Sequence, residues 1–162
     1  MRRAERFGSA VVIAAALSLL ACGSEAPASA PASVQQVVST TSFGMCMGYC
    51  ATRLEISDGQ AVLVRTAHGG RGAQDLPDQR LTAALKPGEW QEIARLAATT
   101  TFEGLPAVIG CPDCADGGAE SLTIVGAGGT QTISFDHGAM IAQAKPLLDR
   151  VRALRATMMP KP

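Results

Sequence analysis

The chain has 162 residues, 14 basic and 14 acidic side chains, and a hydrophobic fraction of 47%. That length suits one domain with a real core, and the balanced charge, without a basic patch, excludes nucleic acid and polyanions as expected partners. One Trp, one Tyr and four Phe are too few for an aromatic sugar-binding platform.

The first element is a charged, then greasy, N-terminus. Arg2, Arg3 and Arg6 precede an apolar run of 15 residues from Phe7 to Ala21. A membrane span needs roughly 20 residues, so the run fits the h-region of a secretory signal instead. Cys22 follows Leu19-Leu20-Ala21 where a plain signal would end in small residues. The segment 1–21 therefore resembles a bacterial lipoprotein signal peptide, which implies cleavage before Cys22 and a lipid anchor carrying fatty acyl chains such as palmitate on that residue. Cleavage leaves 141 residues with 11 basic and 13 acidic side chains. By resemblance to lipoproteins of Gram-negative bacteria, Gly23 after the Cys favours the outer membrane, facing the periplasm. Residues 22–42, rich in Ala, Ser and Pro, read as a flexible tether with a reach on the order of 25 Å.

The folded domain is expected over 43–158. Leu54 and Ile56 alternate with polar residues, Asp58-Gly59 offers a tight turn, and Val62 and Val64 resume the alternation, which spells a hairpin. Residues 68–79 are rich in Gly and Asp and read as a loop, and Leu81 to Leu85 form a third strand. Pro87 opens a helix whose apolar face is Trp90, Ile93, Ala94 and Ala97, with Glu89 and Glu92 at its positive end. That helix fades at Thr99-Thr100-Thr101. Leu122 with Ile124 and Ile133 with Phe135 suggest a second hairpin turning at Gly128-Gly129. A last helix from about Pro146 lines up Leu147, Val151, Leu154 and Met158, leaving Arg150, Arg152 and Arg155 for its solvent face and negative end. On that reading Arg152 is freely replaceable and Leu154 is not. The sum is an α+β fold, with a small antiparallel sheet of about five strands and two helices on one face.

Cys46-Met47-Gly48-Tyr49-Cys50 resembles the opening Cys-x-Gly-x-Cys of an uncharacterised family of bacterial secreted domains, some of which also carry a segment like Cys111 to Gly118. The likeness covers roughly residues 43 to 155 and departs at Ala51 and Arg53, where Pro and an aromatic residue are usual. The family has no assigned activity, so the resemblance implies domain limits and no chemistry.

Four Cys remain beside Cys22, an even number that outside the cytosol reads as two disulfides. Three pairings are open. Loop entropy favours cross-pairs, which close about 60 residues and stabilise by about 4 kcal/mol against about 2 for a local loop. The resemblance implies the local pairs Cys46–Cys50 and Cys111–Cys114, since there the first pair occurs without the second. Each pair is also close in sequence, and no sequence feature brings the two loops within the roughly 7 Å that a cross-pair needs.

The same residues admit other chemistries. Cys111-Pro112-Asp113-Cys114 could serve a periplasmic thiol-disulfide oxidoreductase, but a Gly-Gly turn and a strand follow where redox folds place a helix. All four Cys could form a zinc-binding module. Asp113, Asp116 and Glu120 offer oxygens to calcium, without the spacing of the twelve-residue loop. His68 and His137 sit beside glycines in loops, and no serine elbow accompanies them. The expectation is a non-enzymatic lipoprotein with a binding or envelope-support domain, without catalytic residues, metal or cofactor. Its one assigned contact is the membrane, through Cys22.

Overall fold

The computed structural model describes residues 33–67 and 76–161. Cys22, the signal segment and His68 lie outside these residues. Seven strands form one sheet in the order β4-β3-β2-β1-β6-β7-β5. They are β1 (Val34–Ser42), β2 (Tyr49–Ser57), β3 (Gln60–Ala67), β4 (Gln79–Ala84), β5 (Val108–Ile109), β6 (Ala119–Gly126) and β7 (Gly129–Asp136). Two helices, α1 (Glu89–Thr99) and α2 (Lys145–Met158), complete the α+β fold.

The sheet corrects three expectations. It has seven strands rather than about five. It is mixed, because β5 runs parallel to β7 while every other pair is antiparallel. The third correction is β1 itself: residues 34–42, placed by their composition in the tether, form the central strand. Val34, Val37, Val38, Thr40 and Thr41 are β-branched and suit a pleated backbone. Val37 and Val38 are both buried, at 0% and 3% exposure, so no polar-apolar alternation marks the strand. β1 has three strands on each side.

The two hairpins form as read. Asp58-Gly59 joins β2 to β3, and Gly59 takes a φ of 82° that a two-residue hairpin turn requires. The second turn falls on Ala127-Gly128, one residue earlier than expected, because Gly126 pairs with Gly129.

Register places one face of each strand over the helices. Val37, Leu54, Ile56, Ala61, Leu63, Leu122, Ile124, Ile133 and Phe135 join Ile93 and Ala97 of α1 and Leu147, Leu148, Val151 and Leu154 of α2 in one core. Met158 packs partly against it. Arg150 bridges α2 to α1 through Glu89 at 2.5 Å and Glu92 at 3.2 Å.

The core-facing side chains also fall into rows across the sheet. One row runs Ala83, Ala61, Ile56, Val37 and Ile124; the next runs Leu81, Leu63, Leu54, Ser39, Leu122 and Ile133. The third is Gln79, Arg65, Thr52, Thr41, Glu120 and Phe135, and it is polar at five of six positions. The inner face is therefore apolar at one end and polar at the other.

Candidate functional site

At the polar end, β6 directs Glu120 inward in phase with Leu122 and Ile124. The Glu120 side chain is 1% exposed. A carboxylate so buried needs charge and hydrogen bonds, and α2 supplies both. Arg152 and Arg155, three residues apart and so on one helical face, turn toward it. Arg152 donates from Nε to both carboxylate oxygens at 3.1 Å and from Nη2 to Oε2 at 2.7 Å, and a further Nη2 bond reaches the Ala139 carbonyl at 2.9 Å. Arg155 donates from Nη1 to Glu120 Oε1 at 3.4 Å and from Nη2 to the buried Ser39 hydroxyl. The backbone N–H of Gly138 lies 3.4 Å from Oε2.

These contacts overturn the reading of Arg152 and Arg155 as solvent-face residues. Arg155 is only 8% exposed, and Arg152 is held on both sides of its guanidinium fork. Only Arg150 behaves as a surface bridge. The sequence did carry a signal: Glu120, Thr52 and Arg65 each sit two residues from a buried aliphatic of their own strand, Gln79 sits two from the partly buried Leu81, and all four fall toward one sheet end. Reading it requires the register, which single strands do not supply.

Burial pushes the Glu120 carboxyl up, but the Arg152 hydrogen bonds and charge, the Arg155 charge and the Gly138 N–H outweigh it and hold it below its ordinary value. Arg155 shows the opposite balance. Burial lowers it, and Glu120 does not fully restore it. Its Nε is buried without a partner among the described residues.

Above this cluster lies a cleft of about 420 Å³, lined by Glu120, Arg152, Arg155, Thr41, Thr52, Phe43, Tyr49, Cys50, His137, Gly138, Ala156 and Met159. Its wall is mostly apolar. The hydroxyls of Thr41 and Thr52 share a hydrogen bond of 2.7 Å. Tyr49 is braced by the Arg65 guanidinium, 4.5 Å from the ring centre, and donates its hydroxyl to the Pro77 carbonyl at 2.9 Å. Phe43 and His137 meet with ring centres 4.7 Å apart.

Two clipped loops shape the rim. Cys46 and Cys50 stand at disulfide distance, with Cα atoms 5.5 Å apart, and so do Cys111 and Cys114, at 5.4 Å. Both pairs are local. The loops are nonetheless neighbours, because the Asp113 carboxylate accepts the Gly44 N–H at 3.1 Å. Gly118 lets them close: a Cβ there would stand 2.5 Å from the Phe43 ring, and its φ is 82°. The Cys111–Cys114 segment leads into a short 3-10 turn over Cys114–Asp116, with Asp113, Ala115 and Asp116 at positive φ, and then into β6. It does not open an α-helix, the setting that lowers a thiol pKa in redox motifs.

No set of three or more His, Cys, Asp or Glu side chains converges on a metal position among the described residues. The four Cys are therefore not assembled as one zinc site, and Glu120 is taken by arginines rather than sharing a calcium position with Asp113 and Asp116. His137 is exposed on the cleft rim. Trp90 packs against the core. Met159 lines the cleft and is 37% exposed. Among the described residues, four of the five exposed large apolar side chains are methionines, Met45, Met47, Met140 and Met159. Met45 and Met47 lie on the loop that begins and ends at the cleft residues Phe43 and Tyr49.

A second groove, of about 480 Å³, runs between β4 and α2 over Leu81, Glu89, Arg150, Leu154 and Met158. Its carboxylate is satisfied: Glu89 accepts Arg150 with one oxygen and the Lys86 backbone N–H, at 2.8 Å, with the other. Its remaining cation, the Lys86 side chain, is exposed, whereas Arg155 in the first cleft is buried. No helix among the described residues is long and apolar enough to cross a membrane.

No protein-family model matches the chain, and no curated protein is found similar to it.

Proposed function

We propose that the protein is a lipid-anchored lipoprotein of the bacterial cell envelope, held to the outer membrane through Cys22 and facing the periplasm, whose α+β domain is a non-catalytic binding module. The observation that carries the binding role is the buried Glu120–Arg152–Arg155 cluster at the floor of an open, mostly apolar cleft. Replacing a buried ion cluster with packed apolar residues is often neutral or stabilising, so stability alone gives the cluster little reason to sit beneath a cleft. Apolar walls with a few fixed polar groups are the usual make-up of small-ligand sites. The disulfide-clipped rim limits the ordering cost of binding, and methionines at its edge adapt to the shape of an occupant.

Two measurements test the two halves. Cys22→Ala is expected to move the protein from the membrane fraction to the soluble fraction, since a dual acyl chain anchors firmly at about 0.8 kcal/mol per buried CH₂; retention on membranes overturns the anchor. A fragment screen on the purified chain by NMR is expected to perturb Thr41, Thr52, Tyr49 and Met159 together. Ala156→Trp, which fills the cleft from an exposed wall position, is expected to abolish those shifts. Hits confined to the groove between β4 and α2 would overturn the assignment of the cleft.

A further inference from the structure

We infer that the cleft takes a small organic monoanion, a carboxylate on an apolar body, with its charged group on Arg155. The inference rests on the binding-module reading above and names the ligand class for that site.

Charge count is the first argument. The cluster holds two guanidinium groups and one carboxylate, so it carries one uncompensated positive charge. Burying such a charge without a counter-ion is costly. The excess falls on Arg155, because Arg152 makes the short, forked contacts to Glu120 while Arg155 makes one contact of 3.4 Å. Hydrogen-bonding capacity is the second argument. A guanidinium has five N–H donors, and two of those on Arg155 are engaged, toward Glu120 and Ser39, leaving Nε buried and without a partner among the described residues. A carboxylate accepts two parallel N–H bonds from one guanidinium edge. A third argument comes from the walls: Thr41 and Thr52 bring hydroxyls to the cleft that Arg155 lines, while Phe43, Ala156, Met159 and the Tyr49 ring are apolar. One charged end and one greasy end match those surfaces. Among the described residues, Glu120 is the one carboxylate that lines the cleft, and it is already held by the arginines.

Titration of the purified chain with hexanoate and with hexanamide, read by ligand-observed NMR, tests the inference. Hexanoate is expected to bind at least roughly tenfold more tightly, because both probes accept N–H bonds from the guanidinium but only the carboxylate pairs with its charge, in a site partly withdrawn from water. Arg155→Leu is expected to remove the preference while keeping hexanamide binding, and Ala156→Trp to remove both. Should Arg155→Leu fail to fold, the acid-to-amide ratio of the unsubstituted chain still decides. Equal affinity for the two probes overturns the anion while leaving the cleft as a binding site. Binding of neither overturns the cleft as well.

Discussion

The two ends of the sheet's inner face share the same strands and the same alternation, yet they do opposite things. At one end Ala61, Ile56, Val37 and Ile124 are apolar neighbours in register, and they glue the helices down. At the other, four residues along the same strands, Arg65, Thr52, Thr41 and Glu120 lie in register and the helix above contributes arginines. Hydrophobic burial is non-directional, so the apolar end needs only volume and shape. The polar end needs every partner in place. It is therefore the more fragile half per residue, and it floors the cleft beside Arg155.

Breaking the polar end is expected to have the largest effect. Glu120→Ala strips both arginines of their counter-ion, with Arg155 at 8% exposure, and removing one partner of a buried pair costs about 3–5 kcal/mol. Thermal or urea unfolding reads it directly. Replacing Glu120, Arg152 and Arg155 together by leucine is expected to recover most of that loss, by the same reasoning. Failure of the triple variant to recover would mean that the cluster holds the fold, not only the cleft.

Truncation at the apolar end comes next. Leu54→Ala leaves a cavity beneath a fully buried side chain and is expected to cost about 3 kcal/mol. No combination with a neighbouring truncation should restore it, since hydrophobic losses do not cancel. Recovery in such a pair would erase the contrast between the two ends.

How far this contrast could be read from the chain alone depends on the interaction involved. Local signals were legible: the Asp58-Gly59 turn, the face of α1 around Ile93, the Leu147-Val151-Leu154 stripe, and the α+β class. The central strand was not. A strand buried on both faces loses its alternation, and β1 follows directly on an Ala/Pro/Ser-rich stretch whose composition masked it. β5, at two residues, is too short to carry a period. The site was illegible for a different reason. Glu120 lies 32 residues from Arg152 and 81 from Ser39, and only the register of β1 between β2 and β6 brings them together. Arg152 and Arg155 looked like solvent-face residues because nothing within α2 distinguishes an arginine facing water from one facing a buried carboxylate.

Arg152→Ala is the third test, expected to cost about 2 kcal/mol because Glu120 loses its charge-assisted bonds but keeps Arg155 and Gly138. The earlier expectation, that this change is silent, is what the measurement would have to return for the buried pair to be set aside.

Acid offers a milder probe of the same end. The Glu120 carboxyl sits below its ordinary value of 4.5 in the folded state, through Arg152 and Arg155 acting against burial. A depressed carboxyl stabilises the fold above the unfolded value, and that contribution fades as pH falls through the folded one. Glu89 is also lowered, through the Lys86 N–H and Arg150, so the unsubstituted chain alone does not isolate the site. The difference in stability between that chain and Glu120→Gln does. It is expected to be constant above about pH 5 and to shrink below 4.5. A difference that holds constant down to pH 3 would show that Glu120 gains no net stabilisation from its arginines.

The smallest effect is expected two residues before Arg152, at Arg150. Its guanidinium reaches Glu89 at 2.5 Å and Glu92 at 3.2 Å, contacts as short as those of Arg152, yet the consequences of removing it differ. The Glu92 side chain is 49% exposed and rehydrates freely when the arginine goes. Glu89 is more enclosed, but its other oxygen still accepts the Lys86 N–H at 2.8 Å, and the positive end of α1 supports its charge. Neither carboxylate is stranded. Pairs of this kind contribute roughly 0.2–1 kcal/mol in double-mutant cycles. Arg150→Ala is therefore expected to lower stability by less than about 1 kcal/mol, and by less still at high salt, where exposed pairs are screened. Parity with Arg152→Ala in unfolding experiments would mean that distance, not burial of the partner carboxylate, sets the strength of these bridges, and the division of α2 into a surface side and a cleft side would fail.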